Sequence, residues 1–219
     1  MSTPLPLFPL GTVLFPGLPM PLHIFEPRYR EMMRDHGVAD TPFGVSLIQS
    51  ARQMHRPWPS QSIGTAATII DRTERADGRW DLVVEGTRRF RIVGLEQSQP
   101  YYVATVEWLD EPLGDAKEAE SLLRIVAAQF HRYASGITRL TRRRFDGVHI
   151  PDDPVRASYD LASRLPLHTW ERQRLLEAET AVERLTSLSL LMERELALLL
   201  RAGAAGLALN HPGGIFTEN

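Results

Sequence analysis

The hydrophobic period of the 219-residue chain switches once, near Pro112, and that switch constrains the fold more than any single motif. Before it, apolar residues come in short runs: LPLFPL, TVLF and MPLHI, then PFGVSLIQ, IGTAATIID, WDLVVEG, RRFRIVGLE and YYVATVEWL. These runs are rich in Val, Ile, Thr and aromatics and are separated by Pro and Gly, as β-strands with turns between them are. Asp77-Gly78 within RADGRW marks a hairpin. One helix, over 27–36, interrupts the series. Glu26 stands near its N-cap and Pro27 at its first position, Tyr29, Met32 and Met33 start an apolar face, and Gly37 stops it. Many short strands at this spacing predict a small closed or nearly closed barrel, which leaves few sheet edges exposed.

After Pro112 the period becomes helical. Asp115 with Glu118 forms a capping pair ahead of Leu122, Leu123, Val126, Ala127, Phe130 and Tyr133. Asp153-Pro154 opens a short helix to about Leu165, and LHTWERQRLLE forms another. Thr180 with Glu183 is a capping box for a helix whose face carries Val182, Leu185, Leu188, Met192, Leu196 and Leu199, to about Arg201. The expected class is α+β: a β-rich unit over 1–111, a helical unit over 112–201, and a loose tail over 202–219.

Composition excludes several chemistries. The chain has no cysteine, which removes disulfides, thiolate catalysis and Cys-ligated metals. With 25 basic and 27 acidic residues it has no global bias toward nucleic acid or membrane, and neither half conceals one. No apolar run reaches spanning length and no signal-peptide pattern opens the chain, so a cytoplasmic protein is expected. The only lysine, Lys117, has no glycine-rich phosphate loop before it, and it lies in a charged first helical turn with Ser121 one turn on, where solvation competes with a Ser-Lys dyad. The seven histidines form no metal-ligand spacing, and GxSxG and GxGxxG are absent. Neither an enzyme, a metal nor a cofactor is expected.

Two regions invite a binding role. Glu26, Arg28 and Tyr29 lie at the strand-to-helix joint, where capping and local pairing compete with ligand contact as their purpose. In TRRFR, Arg89 and Arg91 share one strand face, with Arg88, Phe90 and Ile92 on the other. Arg139 and Arg142–Arg144 form a second basic cluster. Arginines beside aromatics suit RNA, and ion pairing with Glu85, Glu96 or Asp146 is the alternative.

The stretch LPLFPLGTVLFPGLPMPLHIFEPRYREMM resembles the start of the Lon protease N-terminal, or substrate-binding, domain family. The resemblance continues through IGTAATIIDRTERADGRWDLVVEGTRRFRIVGL and ends in LLEAETAVERLTSLSLLMERELALL, covering roughly residues 3–201. Its most specific pieces are Phe25–Tyr29 and Glu85–Phe90. It implies a PUA-like β-pseudobarrel followed by a C-terminal helical bundle. In the full-length protease this domain precedes an ATPase and a Ser-Lys peptidase module, and the present chain resembles the stand-alone form that lacks both. A non-catalytic module recognising polypeptide segments or a protein partner is therefore expected, with an apolar groove where barrel meets helices. Trp58, in the loop QSARQMHRPWPSQS, stands either on the rim of such a groove or tucked onto the barrel. The alternative function is RNA binding by the barrel and its arginine strand, and a homodimer is a further partner mode open to the chain. Glu26, Arg28, Tyr29, Trp58, Arg89 and Arg91 are the expected ligand contacts.

Overall fold

The computed structural model describes residues 3–36, 41–48, 60–97, 99–141 and 149–210, the last with side chains to 201. The strands are β1 (Thr3–Leu10), β2 (Pro19–Ile24), β3 (Phe43–Ile48), β4 (Ser60–Glu74), β5 (Trp80–Glu96) and β6 (Tyr102–Trp108). Helix α1 (Pro27–His36) lies between β2 and β3. After the last strand come α2 (Ala116–Thr141), α3 (Pro154–Arg164), α4 (Thr169–Glu177) and α5 (Ala181–Asn210). The fold is α+β.

The sheet runs β2-β5-β4-β3-β1-β6, and β6 also pairs with β5, so five strands close a ring with β2 attached outside it. Closure depends on the length of β5. Trp80–Glu85 pair with β2, Phe90–Glu96 pair with β6, and β4 runs antiparallel along the stretch that joins them. WDLVVEG and RRFRIVGLE, which read as two strands, are one, because a register shift near Thr87 and Arg88 bends the strand without ending it. The Asp77-Gly78 pair lies in the expected hairpin, where Gly78 has φ +75° and its N–H donates to the Arg75 carbonyl at 2.8 Å.

TVLF buries Val13, Leu14 and Phe15 but is not a strand. Pro16-Gly17 turns it across β5: the Gly17 N–H donates to the Gly86 carbonyl at 2.7 Å, and the Gly86 N–H donates to Leu18 at 3.0 Å. A Cβ at Gly86 would overlap the Phe15 carbonyl, so only glycine permits this crossing.

The helices start where the capping residues predict. Asp115 Oδ1 accepts from the Glu118 N–H at 2.9 Å, Asp153 Oδ1 from Arg156 at 2.8 Å, and Thr180 Oγ1 from Glu183 at 3.1 Å. Helix α5 runs past Arg201 to Asn210. Ala202, Ala204, Ala205, Leu207, Ala208 and Leu209 favour helix strongly enough to outweigh Gly203 and Gly206.

One apolar cluster gathers Phe8, Phe43 and Val84 with Tyr29, Met32 and Met33 of α1. A second lies around Leu7, Phe90 and Val106. The third belongs to both halves, with Val13, Phe15, Leu47 and Ile63 packing against Phe130, Tyr159, Leu185 and Met192. The junction of barrel and helices, where an apolar groove was expected, is filled by this core.

Candidate functional site

At the start of α1, the Glu26 carbonyl accepts from the N–H groups of Tyr29 and Arg30 at 3.1 and 3.0 Å. Its side chain accepts two hydrogen bonds from Arg28, at 2.9 and 2.7 Å, and this pairing raises the Arg28 pKa. Arg28 also lies 5.3 Å from the Tyr29 ring centre. Tyr29 is buried edge-on to Phe8 at 4.4 Å, and burial raises its phenol pKa. Arg30 reaches the hairpin turn and donates to the Gly78 and Asp77 carbonyls at 2.7 and 2.9 Å. The cluster clamps α1 to the barrel and keeps Arg28 and Glu26 solvent-accessible. Trp58 lies outside the described residues, as do Arg142–Arg144.

Arg89 and Arg91 meet opposite surroundings. Arg91 is exposed, opposite Glu107 in the β5–β6 register. Arg89 is 2% exposed, and its donors are taken up by Glu111 Oε1 at 2.7 Å and by the carbonyls of Leu176, Ala178 and Asp110 at 2.7, 2.7 and 2.9 Å. Arg184 of α5, fully buried, joins the same Glu111 at 3.3 Å and donates to Ser158 Oγ and the Leu175 carbonyl at 3.1 and 3.0 Å. Its guanidinium stacks 3.9 Å over the Tyr159 ring, whose hydroxyl donates to Glu111 at 2.9 Å. Burial pushes the Tyr159 pKa up and the Arg184 pKa down. Two cations face one carboxylate here. The carbonyls closing α4, at the negative end of its dipole, supply the remaining compensation. The cluster locks barrel to helices and keeps the Arg89 guanidinium away from solvent.

The geometry suited to a ligand lies on the other side of α4. Between α4 and α5 runs a groove of about 600 Å³, walled by Trp170, Leu175, Leu190 and Leu191 and rimmed by Arg174, Glu177, Glu183 and Arg194. Trp170 is 56% exposed and Leu190 66% exposed. The Trp170 ring stacks parallel to His168 at 6.5 Å. Glu171 holds α4 in place: one oxygen accepts from the His168 N–H at 2.9 Å, and both receive Arg194 of α5. That guanidinium holds the Glu171 carboxyl below its usual range. Two charges are thereby neutralised beside an open apolar wall. Among the described residues no group of His, Asp or Glu is placed to hold a metal ion, and no helix is long and apolar enough to cross a membrane.

The profile of the ATP-dependent protease La (LON) substrate-binding domain matches residues 4–194. The chain belongs to this family. Among curated relatives, the Lon protease of Escherichia coli (strain K12) is 29% identical over 199 residues, which are 89% of this chain and 25% of that protein. The Lon protease of Azospirillum brasilense is 27% identical over 189 residues, 85% of this chain and 23% of that one. The chain thus spans about a quarter of the length of the curated relatives it matches, and the part matched is the substrate-binding domain. The Lon N-terminal domain protein from Xanthomonas campestris superposes with a TM-score of 0.63 at 30% identity, covering 85% of this chain and 96% of that structure. The N-terminal domain of Mycobacterium avium complex Lon protease superposes at 0.62 with 18% identity, covering 87% and 98%, and shows the fold alone.

Within this LON substrate-binding domain, three residues central to the geometry carried no signal that singled them out. Trp170 and Leu190 read as members of amphipathic helices, and Arg184 as one charge among many on α5. The Thr180–Glu183 box makes Arg184 the fourth residue of its helix, and only the tertiary fold turns it inward.

Proposed function

We propose that this chain is a non-catalytic module that binds exposed segments of polypeptides through the α4–α5 groove. The observation that carries this reading is the pair of large apolar side chains left in solvent there, Trp170 and Leu190, beside a neutralised Glu171–Arg194 pair. Aromatic anchors in such settings dominate binding energy because they bury a large area with little loss of rotamer freedom. Membership of a family described as the substrate-binding domain of an ATP-dependent protease supports a polypeptide as the ligand. A cytoplasmic setting fits a chain without cysteine.

The test is fluorescence anisotropy with a labelled, permanently unfolded polypeptide, obtained by reduction and alkylation, and with a labelled single-stranded RNA. Saturable polypeptide binding that holds at high salt is expected, weakened on the order of tenfold or more by Trp170→Ala. RNA binding with a steep salt slope and no polypeptide binding would overturn the reading.

A further inference from the structure

Helix α5 carries a second groove, on its far side against α2. Its volume is about 440 Å³. Leu196, Leu199 and Leu200 form one wall, and His131, Arg132 and Arg139 line the other. Leu200 is 70% exposed. The helices approach closely at Gly136, where a Cβ would run into Leu199, so the apolar wall and the basic rim lie side by side. Unlike the α4–α5 groove, whose rim mixes Arg and Glu, this one has basic side chains and, among the described residues, no carboxylate in its lining.

We propose that the α2–α5 groove is a separate docking site for an acidic amphipathic helix of a protein partner. The charge pattern chooses the occupant. Arg132 and Arg139 are seven residues apart on one helix face, about 10 Å along its axis. Carboxylates two turns apart on a partner helix lying along α2 repeat at that distance. The leucines between α2 and α5 receive the partner's apolar stripe, as in other helix-in-groove recognition. A nucleic acid would use the two arginines but leave the leucine wall exposed to water. Among the described residues the lining also offers no Phe, Tyr or Trp on which a base could stack.

The test uses the full chain and a labelled amphipathic peptide with Leu on one face and Glu flanking it at two-turn spacing, beside a twin with Gln in place of Glu. The Glu peptide binds saturably and the Gln twin at least about tenfold more weakly. Charge reversal by R132E/R139E removes binding of the Glu peptide, the neutral pair R132Q/R139Q weakens it, and thermal melts of both variants stay cooperative because both arginines are exposed. Trp170→Ala leaves this peptide's affinity unchanged, which separates the site from the α4–α5 groove. Equal binding of the two peptides, an unchanged affinity in R132E/R139E, or displacement by single-stranded nucleic acid at lower concentration than by unlabelled Glu peptide overturns the proposal.

Discussion

Glu111 accepts from Arg89, Arg184 and Tyr159, and each of those three belongs to a different element. Removing one partner of a buried ion cluster costs more than the cluster's net contribution, because the remaining charges stay in low dielectric without compensation. Glu111→Ala leaves two buried guanidiniums facing one another, and a loss of about 3 kcal/mol is expected. That is the lower part of the range, since the Glu111 side chain is 26% exposed and water can enter its place. Urea denaturation of E111A and of Arg184→Met measures it. Arg184→Met should cost less, because Arg89 keeps its carboxylate and the volume is nearly conserved. At this scale the sequence was legible only in part. Arg89 stood out in TRRFR, but its burial did not, because an arginine on a strand face reads as solvated until a helix is known to cover it. Ion partners were expected in Glu85, Glu96 or Asp146. For Arg89 the partner is Glu111, beyond the end of β6, brought in by the chain's turn into the helices.

At the scale of elements, local chemistry made most of the fold readable. Caps at Asp115, Asp153 and Thr180, the Asp77-Gly78 turn and the span of α1 follow from side chains within a few residues. What escaped depends on distant segments: TVLF looks like a strand, yet it crosses β5 at Gly86 instead of pairing along it. The α4–α5 pairing supplies a pH dependence. Hydrogen bonds from Arg194 depress the Glu171 carboxyl in the folded state, so its contribution is complete above the unfolded carboxylate value of about 4.3. It is lost as pH falls through the lower folded value. Glu171→Gln should therefore lower stability at neutral pH and flatten the acid limb of stability against pH. Denaturation midpoints over an acidic series check both, and an unchanged acid limb would show that other carboxylates set it.

For the whole molecule, the change of period near Pro112 separates two kinds of secondary structure but not two cores. Val13, Phe15, Leu47 and Ile63 from the barrel side pack into the same cluster as Phe130, Tyr159, Leu185 and Met192, with Phe15 and Tyr159 ring centres 5.5 Å apart. Arg89 of β5 donates to the carbonyls that end α4, so the polar lock crosses the same boundary. Unfolding the barrel would expose the helical core and strand Arg184 and Glu111, and unfolding the helices would open Val13, Phe15, Leu47 and Ile63 to water and take away the carbonyl partners of Arg89. Neither half retains a satisfied interior alone. A single cooperative transition is therefore expected, with far-ultraviolet helical signal and near-ultraviolet signal from barrel Trp80 and Trp108 melting together. Phe15→Ala, a barrel-side change, should shift both curves by the same amount, with a loss of about 3–5 kcal/mol for a buried phenylalanine. If the near-ultraviolet curve moved while the helical curve stayed, residues 1–111 and 112–201 would be energetic units of their own, and the shared cluster would contribute little to either.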